Sequence, residues 1–380
     1  MDYQLIATTT FGIEAVTAKE LRQLGYDDLK VENGKVEFEG DEMDVAITNT
    51  WLRTAERVLI KVAEFKATTF EDLFNQTAAV DWSEYIPVNG EMHVIGKSVK
   101  SELYSVPDCQ SIVKKAIVKS MQQAYQQDWF SEDGPKYKIE VALLKDVVTL
   151  TIDTSGAGLH KRGYREDSGV APLKETLAAA LVLLSRWQPD RLLVDPFCGS
   201  GTILIEAALI GNNIAPGLKR TFVCEDWPQM DKELFAQVRD SAKKAIKAHP
   251  LRMMGYDINS QVLKKARKNA ENAGVEKAIE FQTLDFHQFS SKHKYAYLVT
   301  NPPYGERIGE EEAVLELNKA LGLMKKRLDT WDFNIFTAAS KFENAFKREA
   351  TKNRKLYNGR ILTRYYQYFD NNLKAKTYPK

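Results

Sequence analysis

The chain of 380 residues has few of the residues that build metal centres or disulfide frameworks. It contains five histidines and three cysteines. Cys109, Cys198 and Cys224 are odd in number, far apart and in no CxxC pair. The sequence therefore predicts neither a zinc site nor a set of disulfides, and we expect no metal.

Long apolar runs are also missing. The longest, Leu177 to Leu184, is far shorter than the roughly 20 residues that a membrane-spanning helix needs. The N-terminus has no basic stretch followed by an apolar core, so no secretory signal is predicted. We expect a cytoplasmic protein that contacts no membrane.

The chain has no excess of one charge sign, with 53 basic and 52 acidic residues. The distribution is uneven, because residues 341–380 carry 11 Lys or Arg against 3 Asp or Glu. Such a basic end can face phosphates or can be a solvated tail, and charge leaves both open. The length predicts two or three domains, and a hydrophobic content of 44% supplies an ample core.

The first 155 residues predict an α+β region with a mixed sheet. Alternating apolar residues predict strands at Tyr3–Thr8, Val58–Phe65 and Glu91–Lys97, and hairpins that turn at 33–34 and 145–146. Helical periodicity predicts helices at 13–24, 43–51, 70–76 and 105–126. The region has no Gly-rich turn from a strand into a helix, so it is not a dinucleotide fold.

A predicted hinge follows. The stretch Thr154-Ser155-Gly156-Ala157-Gly158 is typical of a flexible linker. The next residues, 160–165, read His-Lys-Arg-Gly-Tyr-Arg. This basic run favours either a solvated linker or a contact with phosphate or substrate near the domain junction.

From residue 172 onward, strands and helices alternate. The pattern predicts strands at 192–194, 253–256, 279–283, 297–300 and 334–337, with helices between them. A final hairpin is predicted to turn at Asn358-Gly359. The fold class is therefore α/β, with a doubly wound, mostly parallel sheet and a C-terminal antiparallel hairpin.

A Gly-rich turn follows the first of these strands. A phosphate loop needs Gly-Lys-Ser/Thr, but Gly201 is followed directly by Thr202, and a dinucleotide fingerprint needs glycine where Leu204 stands. Asp195 would repel a pyrophosphate and attract an ammonium group, which favours S-adenosyl-L-methionine as the cofactor. The residues that we assign to this cofactor loop are Asp195, Phe197, Gly199, Gly201 and Thr202.

Two further acidic residues follow the next strands. Asp257, with Ile258 after it, is placed to accept both ribose hydroxyls, although a role as helix N-cap is also open to Asp257. Asp285 is placed to accept from the adenine amino group, with Phe286 against the adenine ring. All four residues are assigned to the cofactor.

The tetrapeptide Asn301-Pro302-Pro303-Tyr304 follows the fourth strand and is the candidate catalytic motif. Asn301 offers a side-chain carbonyl beside the cofactor, and the prolines keep the backbone carbonyls unpaired because they have no N–H and a fixed φ. Tyr304 offers an aromatic face. Two acceptors and a stacking surface are what a flipped nucleobase with an exocyclic amino group requires.

The loop at 195–202 and the tetrapeptide at 301–304 resemble those of class I S-adenosylmethionine-dependent methyltransferases that act on amino groups. Further segments resemble the THUMP-domain RNA guanine-N2 methyltransferases, in particular the large-subunit ribosomal RNA enzymes. They are residues 160–165, Ala171 to Ala178, Ile214 to Gly217, Trp227 and Asn301 to Arg307. The resemblance implies a ferredoxin-like part over 1–60, a THUMP RNA-binding module over 61–155, a basic hinge over 156–170 and a methyltransferase domain over 171–380.

The resemblance also implies the reaction, which is transfer of a methyl group to the N2 amine of a guanine in RNA, with 23S ribosomal RNA as the expected substrate. An adenine-N6 methyltransferase of DNA or RNA would share the tetrapeptide, and a transfer RNA guanine-N2 enzyme would share the THUMP module. An RNA-binding assembly factor that retains the cofactor fold is the alternative outside enzymology. The sequence leaves the oligomeric state open.

Overall fold

The computed structural model describes residues 2–165, 173–304 and 311–369, and the chain divides into two compact units. The first unit consists of Met1–Thr9, Leu21–Leu159 and Arg220–Ser241. The second unit consists of Thr10–Glu20, His160–Lys219 and Ala242–Lys380. The second unit therefore includes Thr10–Glu20 from the N-terminal region, and the first unit includes Arg220–Ser241 from the C-terminal region.

The first unit is built on a seven-stranded mixed sheet in which only β5 and β6 are parallel neighbours. Its order is β2-β3-β1-β4-β7-β6-β5. The strands are β1 (Tyr3–Thr9), β2 (Lys30–Glu32), β3 (Lys35–Gly40), β4 (Ala55–Lys66), β5 (Glu91–Val99), β6 (Lys136–Leu144) and β7 (Val147–Asp153). The helices are α2 (Glu42–Trp51), α3 (Phe70–Ala78) and α4 (Val106–Tyr125), while α1 (Glu14–Gln23) begins in the second unit and ends in the first.

The long strand β4 joins the two predicted parts of the N-terminal region. Its first half pairs with β1, as far as Lys61 opposite Gln4, and its second half pairs with β7, as far as Lys66 opposite Val147. The expected division between residues 60 and 61 therefore falls within a strand that both parts share.

The residues expected to begin a flexible hinge are buried and hydrogen-bonded. The Thr154 hydroxyl donates to the Val58 carbonyl at 2.7 Å, and the Ser155 hydroxyl donates to Asn49 Oδ1 at 2.6 Å. Asn49 Nδ2 donates in turn to Thr154 Oγ1 at 2.9 Å. The hydroxyl groups that made this stretch resemble a linker are the groups that fix it to helix α2. Residues 166–170 of the expected hinge lie outside the described residues.

The segment Arg220–Ser241 belongs to the first unit although it follows the second unit's cofactor loop in sequence. Trp227 is 1% exposed and stacks on Tyr137, with ring centroids 4.6 Å apart and planes inclined by 17°. Its indole N–H donates to the Lys136 carbonyl at 3.0 Å. Gln229 donates to the Tyr85 carbonyl at 2.7 Å and accepts from the Tyr137 hydroxyl at 3.1 Å. The expected methyltransferase domain over 171–380 therefore contains a segment that completes the other unit's core.

The second unit contains the predicted α/β sheet, with the order β10-β9-β8-β11-β12-β14-β13. The first five strands in this order are parallel, and β14 pairs antiparallel with both β12 and β13. The strands are β8 (Leu193–Asp195), β9 (Met253–Asp257), β10 (Ile279–Thr283), β11 (Tyr297–Thr300), β12 (Asp332–Thr337), β13 (Lys352–Asn358) and β14 (Ile361–Tyr368). The predicted fold class, with its C-terminal antiparallel hairpin, is confirmed.

Helices cover both faces of this sheet, as a doubly wound fold requires. One apolar cluster joins one face to α5 (Glu175–Ser185), α6 (Thr202–Gly211) and α8 (Ser260–Ala273). A second cluster joins the other face to α9 (Glu311–Arg327) and α10 (Phe342–Phe346), while α7 (Lys232–Lys244) begins in the first unit. Leu193 belongs to the first cluster and its neighbours Leu192 and Val194 to the second, since successive side chains of a strand point to opposite faces.

The start of α1 is part of the second unit. Ile13 and Val16 are buried in the same apolar cluster as Leu356 and Tyr365 of the C-terminal hairpin. Gly12 has φ +95°, and a Cβ there would lie 2.6 Å from the Lys355 carbonyl oxygen. Glycine is required here because of this close approach and the left-handed backbone.

Within the described residues, no helix is long and apolar enough to cross a membrane. Cys109, Cys198 and Cys224 are all buried and none is in a disulfide. Residues 370–380 of the expected basic C-terminal segment lie outside the described residues.

Candidate active site

Four predicted site residues lie along one edge of the second unit's sheet. The strands β10, β9, β8 and β11 are parallel neighbours in that order. Asp195 and Asp257 end β8 and β9, Asn301 follows β11 directly, and Asp285 stands two residues beyond β10. In an open α/β sheet, the carboxyl ends of the strands form the ligand-binding edge.

The loop after β8 has the backbone conformation that its glycines allow. Gly199 has φ +51° and Gly201 has φ +82°, both in the left-handed region. A Cβ on Gly201 would lie 3.0 Å from Phe281 Cζ, whereas a Cβ on Gly199 would meet no atom within 4 Å. Gly201 therefore permits close packing of α6 on the sheet, and open space lies in front of Gly199.

Asp195 is held in an interior position at the end of β8. It is 2% exposed, and its Oδ1 accepts from the Thr300 hydroxyl at 2.6 Å and from the Phe197 amide at 3.1 Å. Burial raises the pKa of Asp195 to about 7, and the nearby Asp257 charge adds to this rise, while the two hydrogen bonds oppose it. A cationic ligand beside this carboxyl group would therefore favour the carboxylate near neutral pH, and the proton would pass to solvent.

Asp257 joins the cofactor loop to the second strand end. Its Oδ2 accepts from the Gly199 amide at 3.1 Å, and its Oδ1 accepts from the Asn259 amide at 2.9 Å. The N-cap of α8 is Asn259, whose Oδ1 accepts from the Gln261 amide at 2.9 Å. Asp257 is therefore not needed as the cap, and the neighbouring Ile258 is 74% exposed.

Asp285 has a partly exposed side chain, whereas the next residue, Phe286, is buried. Asp285 Oδ1 accepts from the His287 amide at 3.0 Å and lies 2.7 Å from His287 Nδ1, and these bonds lower the pKa of Asp285. Phe286 is 7% exposed and packs against Phe197 with centroids 4.8 Å apart. Phe286 therefore backs Phe197 from the core, and Phe197 is the ring that reaches the cavity described next.

A cavity of about 210 Å³ connects the cofactor loop with the catalytic motif. Five predicted residues share its wall, namely Asp195, Phe197, Gly199, Thr202 and Asn301. The other four lining residues were not assigned to the site from the sequence, and they are Leu173, Cys198, Ser200 and Ile203. The carboxyl end of β8 and the end of β11 thus contribute to one cavity.

The Asn301-Pro302-Pro303-Tyr304 motif has an internal hydrogen bond. The Tyr304 hydroxyl donates to Asn301 Oδ1. The Tyr304 ring is half-buried and meets Phe336 edge-on, with centroids 6.4 Å apart and planes inclined by 75°. Because a carbonyl oxygen has two lone pairs, Asn301 Oδ1 can accept a second hydrogen bond.

Three residues of the basic run at 160–165, namely Arg162, Tyr164 and Arg165, are held by internal contacts, whereas Lys161 and Gly163 are exposed. Arg162 and Tyr164 are buried around Glu206, with Arg162 Nη2 3.5 Å and the Tyr164 hydroxyl 3.0 Å from its carboxylate oxygens. Arg165 donates to the Thr202 hydroxyl and lies 3.5 Å from Glu175. The run therefore fixes helix α6 beside the cofactor loop. The signal for this arrangement was Glu206, a lone acidic residue in an otherwise apolar helix.

A known family matches more than half of the chain, and the match includes the residues of this edge. Residues 162–367 match the family described as RMKL-like, methyltransferase domain. The chain belongs to the RMKL-like methyltransferase family. Residues 4–59 match an RlmL ferredoxin-like domain and residues 67–153 match a THUMP domain, so the predicted family and its N-terminal modules are confirmed.

Relatives of this RMKL-like methyltransferase extend over nearly its whole length. A Bacillus subtilis protein named "Putative RNA methyltransferase YpsC" is 53% identical, over 97% of this chain and 96% of its own. A Listeria monocytogenes crystal structure, named a predicted N6-adenine-specific DNA methylase, is 51% identical with a TM-score of 0.93, over 97% of this chain and 96% of its own. A methyltransferase structure complexed with SAH is 44% identical with a TM-score of 0.92, over 97% of this chain and 98% of its own.

The methyl donor of this family is S-adenosylmethionine. The edge described above has the chemistry to hold it, because it combines an interior carboxyl group, a loop open in front of Gly199 and an exposed Ile258 beside Asp257. Among the described residues, no group of three or more His, Cys, Asp or Glu side chains is arranged to hold a metal ion.

Proposed function

We propose that this RMKL-like methyltransferase transfers a methyl group from S-adenosylmethionine to the exocyclic N2 amine of a guanine in 23S ribosomal RNA. The observation that supports this proposal best is the position of Asn301. It follows β11 directly and lines the same cavity as Asp195 and the glycine loop. An amide oxygen at that point can hold an amino group next to the cofactor.

In the proposed site, Asp195 pairs with the ammonium group of the cofactor and Asp257 accepts from its ribose hydroxyls. Asp285 accepts from the adenine amino group, and Phe197 and Ile258 supply apolar contacts. S-adenosylmethionine supplies a methyl group already activated on a sulfonium. The residues of the chain therefore need only to bind, orient and exclude water.

The reacting amine is held by Asn301 Oδ1 and the Pro302 carbonyl, which accept its two hydrogens. These acceptors position the nitrogen for in-line attack and stabilise the positive charge that develops on it. The new N–C bond forms as the C–S bond breaks, and the nitrogen then loses one proton to solvent. Stacking on Tyr304 offsets about 1–3 kcal/mol of the energy of turning the base out of its stack.

RNA as the substrate is supported by the first unit and by the relatives. The chain carries a THUMP domain, and its 53% identical Bacillus subtilis relative is named an RNA methyltransferase. Tyr104 and Trp129 are 83% and 75% exposed and lie beyond the two ends of α4, a helix of 20 residues that is about 30 Å long at 1.5 Å per residue. Exposed aromatic rings are stacking surfaces for unpaired bases.

Adenine N6 is the second candidate target. The Asn-Pro-Pro-Tyr motif suits any exocyclic amine of a nucleobase, and the 51% identical Listeria structure is named a predicted N6-adenine-specific DNA methylase. Guanine N2 is the favoured target because the motifs along the chain resemble those of guanine-N2 enzymes.

The deciding experiment is transfer of labelled methyl to 23S ribosomal RNA from a strain that lacks this protein, followed by nucleoside analysis. We expect N2-methylguanosine. N6-methyladenosine would assign the second target, and label on transfer RNA or DNA in parallel reactions with no label on 23S RNA would reject the ribosomal substrate.

Asn301→Ala tests the assignment of the amine acceptor. We expect methyl transfer to fall by about 10²- to 10³-fold, since about 2.7–4 kcal/mol is lost with one positioned acceptor, while the affinity for S-adenosylmethionine changes only a few-fold. Lys319→Ala is the control, because Lys319 is exposed on α9 and lies outside the motif. Loss of cofactor affinity in Asn301→Ala would show that Asn301 serves the cofactor and not the base.

A further inference from the structure

A second, larger cavity lies beyond the catalytic motif. Its volume is about 620 Å³, which is within the range of small-molecule sites. Tyr304 forms part of its wall, the start of α9 forms another part, and the loop 338–341 after β12 closes a third side. The cavity therefore begins where the proposed amine-binding motif ends.

The charges at this cavity favour an uncharged part of a nucleotide. Glu311 and Glu312 line it and are exposed, while Lys341 is the lining residue of opposite charge. Two carboxylates at the mouth repel a phosphate, so the backbone of a nucleic acid is disfavoured there. A nucleobase has no charge and offers N–H donors and carbonyl acceptors.

Asn318 is the unusual residue of this wall. It is 3% exposed, and its side chain has no hydrogen-bond partner within the described parts of the chain. It precedes Leu321 and Gly322 by three and four residues, so all three share the buried face of α9. That face packs closely on α10, since a Cβ on Gly322 would lie 2.3 Å from the Phe346 carbonyl oxygen.

The Asn318 amide has free hydrogen-bonding capacity on the side of the cavity. The Asn318 amide is not among the side-chain groups that are sealed from solvent without a partner, so its polar atoms are open to the cavity that it lines. A rigid helix that presents an unpartnered amide to a cavity is what a binding site for a donor–acceptor edge requires.

We propose that Asn318 binds the target base, with its carbonyl oxygen accepting from guanine N1–H and its amino group donating to guanine O6. This inference rests on the proposed guanine-N2 function. Asn301 and Pro302 would hold the reacting amine, Tyr304 would stack on the ring, and Asn318 would hold the rest of the pairing edge. Asn318 is a base-positioning residue in this arrangement and does not touch the cofactor.

The first test compares Asn318→Ala and Asn318→Leu with Lys319→Ala, a control at the next, exposed position of α9. The substrate is 23S ribosomal RNA from a strain lacking the protein. We expect kcat/KM for RNA to fall at least tenfold in both Asn318 variants, with the Kd for S-adenosylmethionine and the rate of Lys319→Ala unchanged. We also expect the melting temperature of Asn318→Leu to equal or exceed that of the wild type.

A structural role for Asn318 would give the opposite pattern. Asn318→Leu would then melt at a lower temperature, and its activity would recover when assayed well below that temperature. Either that pattern or unchanged kcat/KM in Asn318→Ala would overturn the inference. If Asn301→Ala is inactive while Asn318→Ala is fully active, the proposed function stands and this inference fails. If the wild type makes no N2-methylguanosine, the proposed function itself fails.

The second test compares two short RNAs. One carries an unmethylated guanine at the target position, and the other carries 2-aminopurine at the same position. 2-Aminopurine keeps the reactive amine but has neither N1–H nor O6. We expect the wild type to lose at least tenfold on 2-aminopurine and Asn318→Ala to lose no more than twofold between the two transcripts, because its contact is already gone. If the effects of Asn318→Ala and of 2-aminopurine on the rate multiply, Asn318 does not contact that edge of the base and the inference fails.

Discussion

The substitution Asp195→Asn separates binding from folding at the cofactor loop. Asparagine retains one oxygen that can accept from Thr300 and from the Phe197 amide, and it replaces the other by an amino group that cannot ionise. Because burial raises the pKa of Asp195 from 3.8 to about 7, the native state must bear an unfavourable charge at alkaline pH. The variant is free of that charge.

The size of the effect follows from the two pKa values. Each pH unit between 3.8 and 7 costs the wild type about 1.4 kcal/mol, because the unfolded chain ionises there and the native carboxyl group does not. Asp195→Asn should therefore equal the wild type in stability near pH 4. Its advantage should grow with pH and level off above pH 7 at about 4 kcal/mol.

The assay is urea unfolding of both proteins without cofactor at pH 5.5 and pH 8, together with calorimetric titration of S-adenosylmethionine. We expect the affinity of Asp195→Asn to fall by about 10- to 150-fold, which corresponds to a charged hydrogen bond of about 1.5–3 kcal/mol. Binding to the wild type below pH 7 should release a proton and strengthen as the pH rises. A variant that is less stable at pH 8, or that binds the cofactor as well as the wild type does, would refute the reasoning.

Two further substitutions test other parts of the molecule. Tyr304→Ala should reduce methyl transfer 5- to 150-fold through lost stacking of about 1–3 kcal/mol, whereas Tyr304→Phe retains the ring and should stay within tenfold of the wild type; equal losses would show that the hydroxyl matters and the aromatic face does not. Trp227→Ala should lower the free energy of unfolding by about 3–5 kcal/mol, because it empties a buried site; Trp227→Phe should cost less, and a loss below 1 kcal/mol for Trp227→Ala would contradict the packing described.

Local patterns predicted most of the elements. Period-two and period-3.6 apolar residues located the strands and the long helices of both sheets to within a few residues, since each such element buries one face on its own sheet. The short helix α10 was not predicted. It is a single turn, and it forms because Phe342 and Phe346 stack on Tyr366 and Tyr368 of β14. That contact joins residues 20 or more positions apart and has no local signature.

The strand ends were predicted for a similar reason. Asp195, Asp257 and Asn301 each follow an apolar strand directly, so their positions depend on little beyond the strands themselves. The contacts of Arg162 and Arg165 with buried acidic residues were not predicted, because a basic run has the same composition on a surface and around a buried acidic residue. Only the position of Glu206 in space, beside Arg162 and Tyr164, separates the two.

The assignment of residues 10–20 to the second unit and of residues 220–241 to the first was also not predicted. Residues 10–20 and 220–241 look like ordinary helices and loops in the sequence. Their assignment depends on which distant surface they cover, for example Ile13 beside Tyr365 and Trp227 on Tyr137. Deletion of residues 1–155 would remove partners from both units, so point variants such as Trp129→Ala test RNA binding more cleanly.

The position of the Trp227 segment in the sequence also determines when the first unit can finish folding during synthesis on the ribosome. Sixty residues, 160–219, separate the main part of the first unit from the strip that finishes it. At about 5–20 residues per second, their synthesis takes roughly 3–12 s. During that interval the ring of Tyr137 is not covered by Trp227. Ile13 stays uncovered for longer, until the C-terminal hairpin has been synthesised. The nascent protein therefore exposes apolar surface until late in translation, and we expect it to depend on chaperones that bind such surfaces.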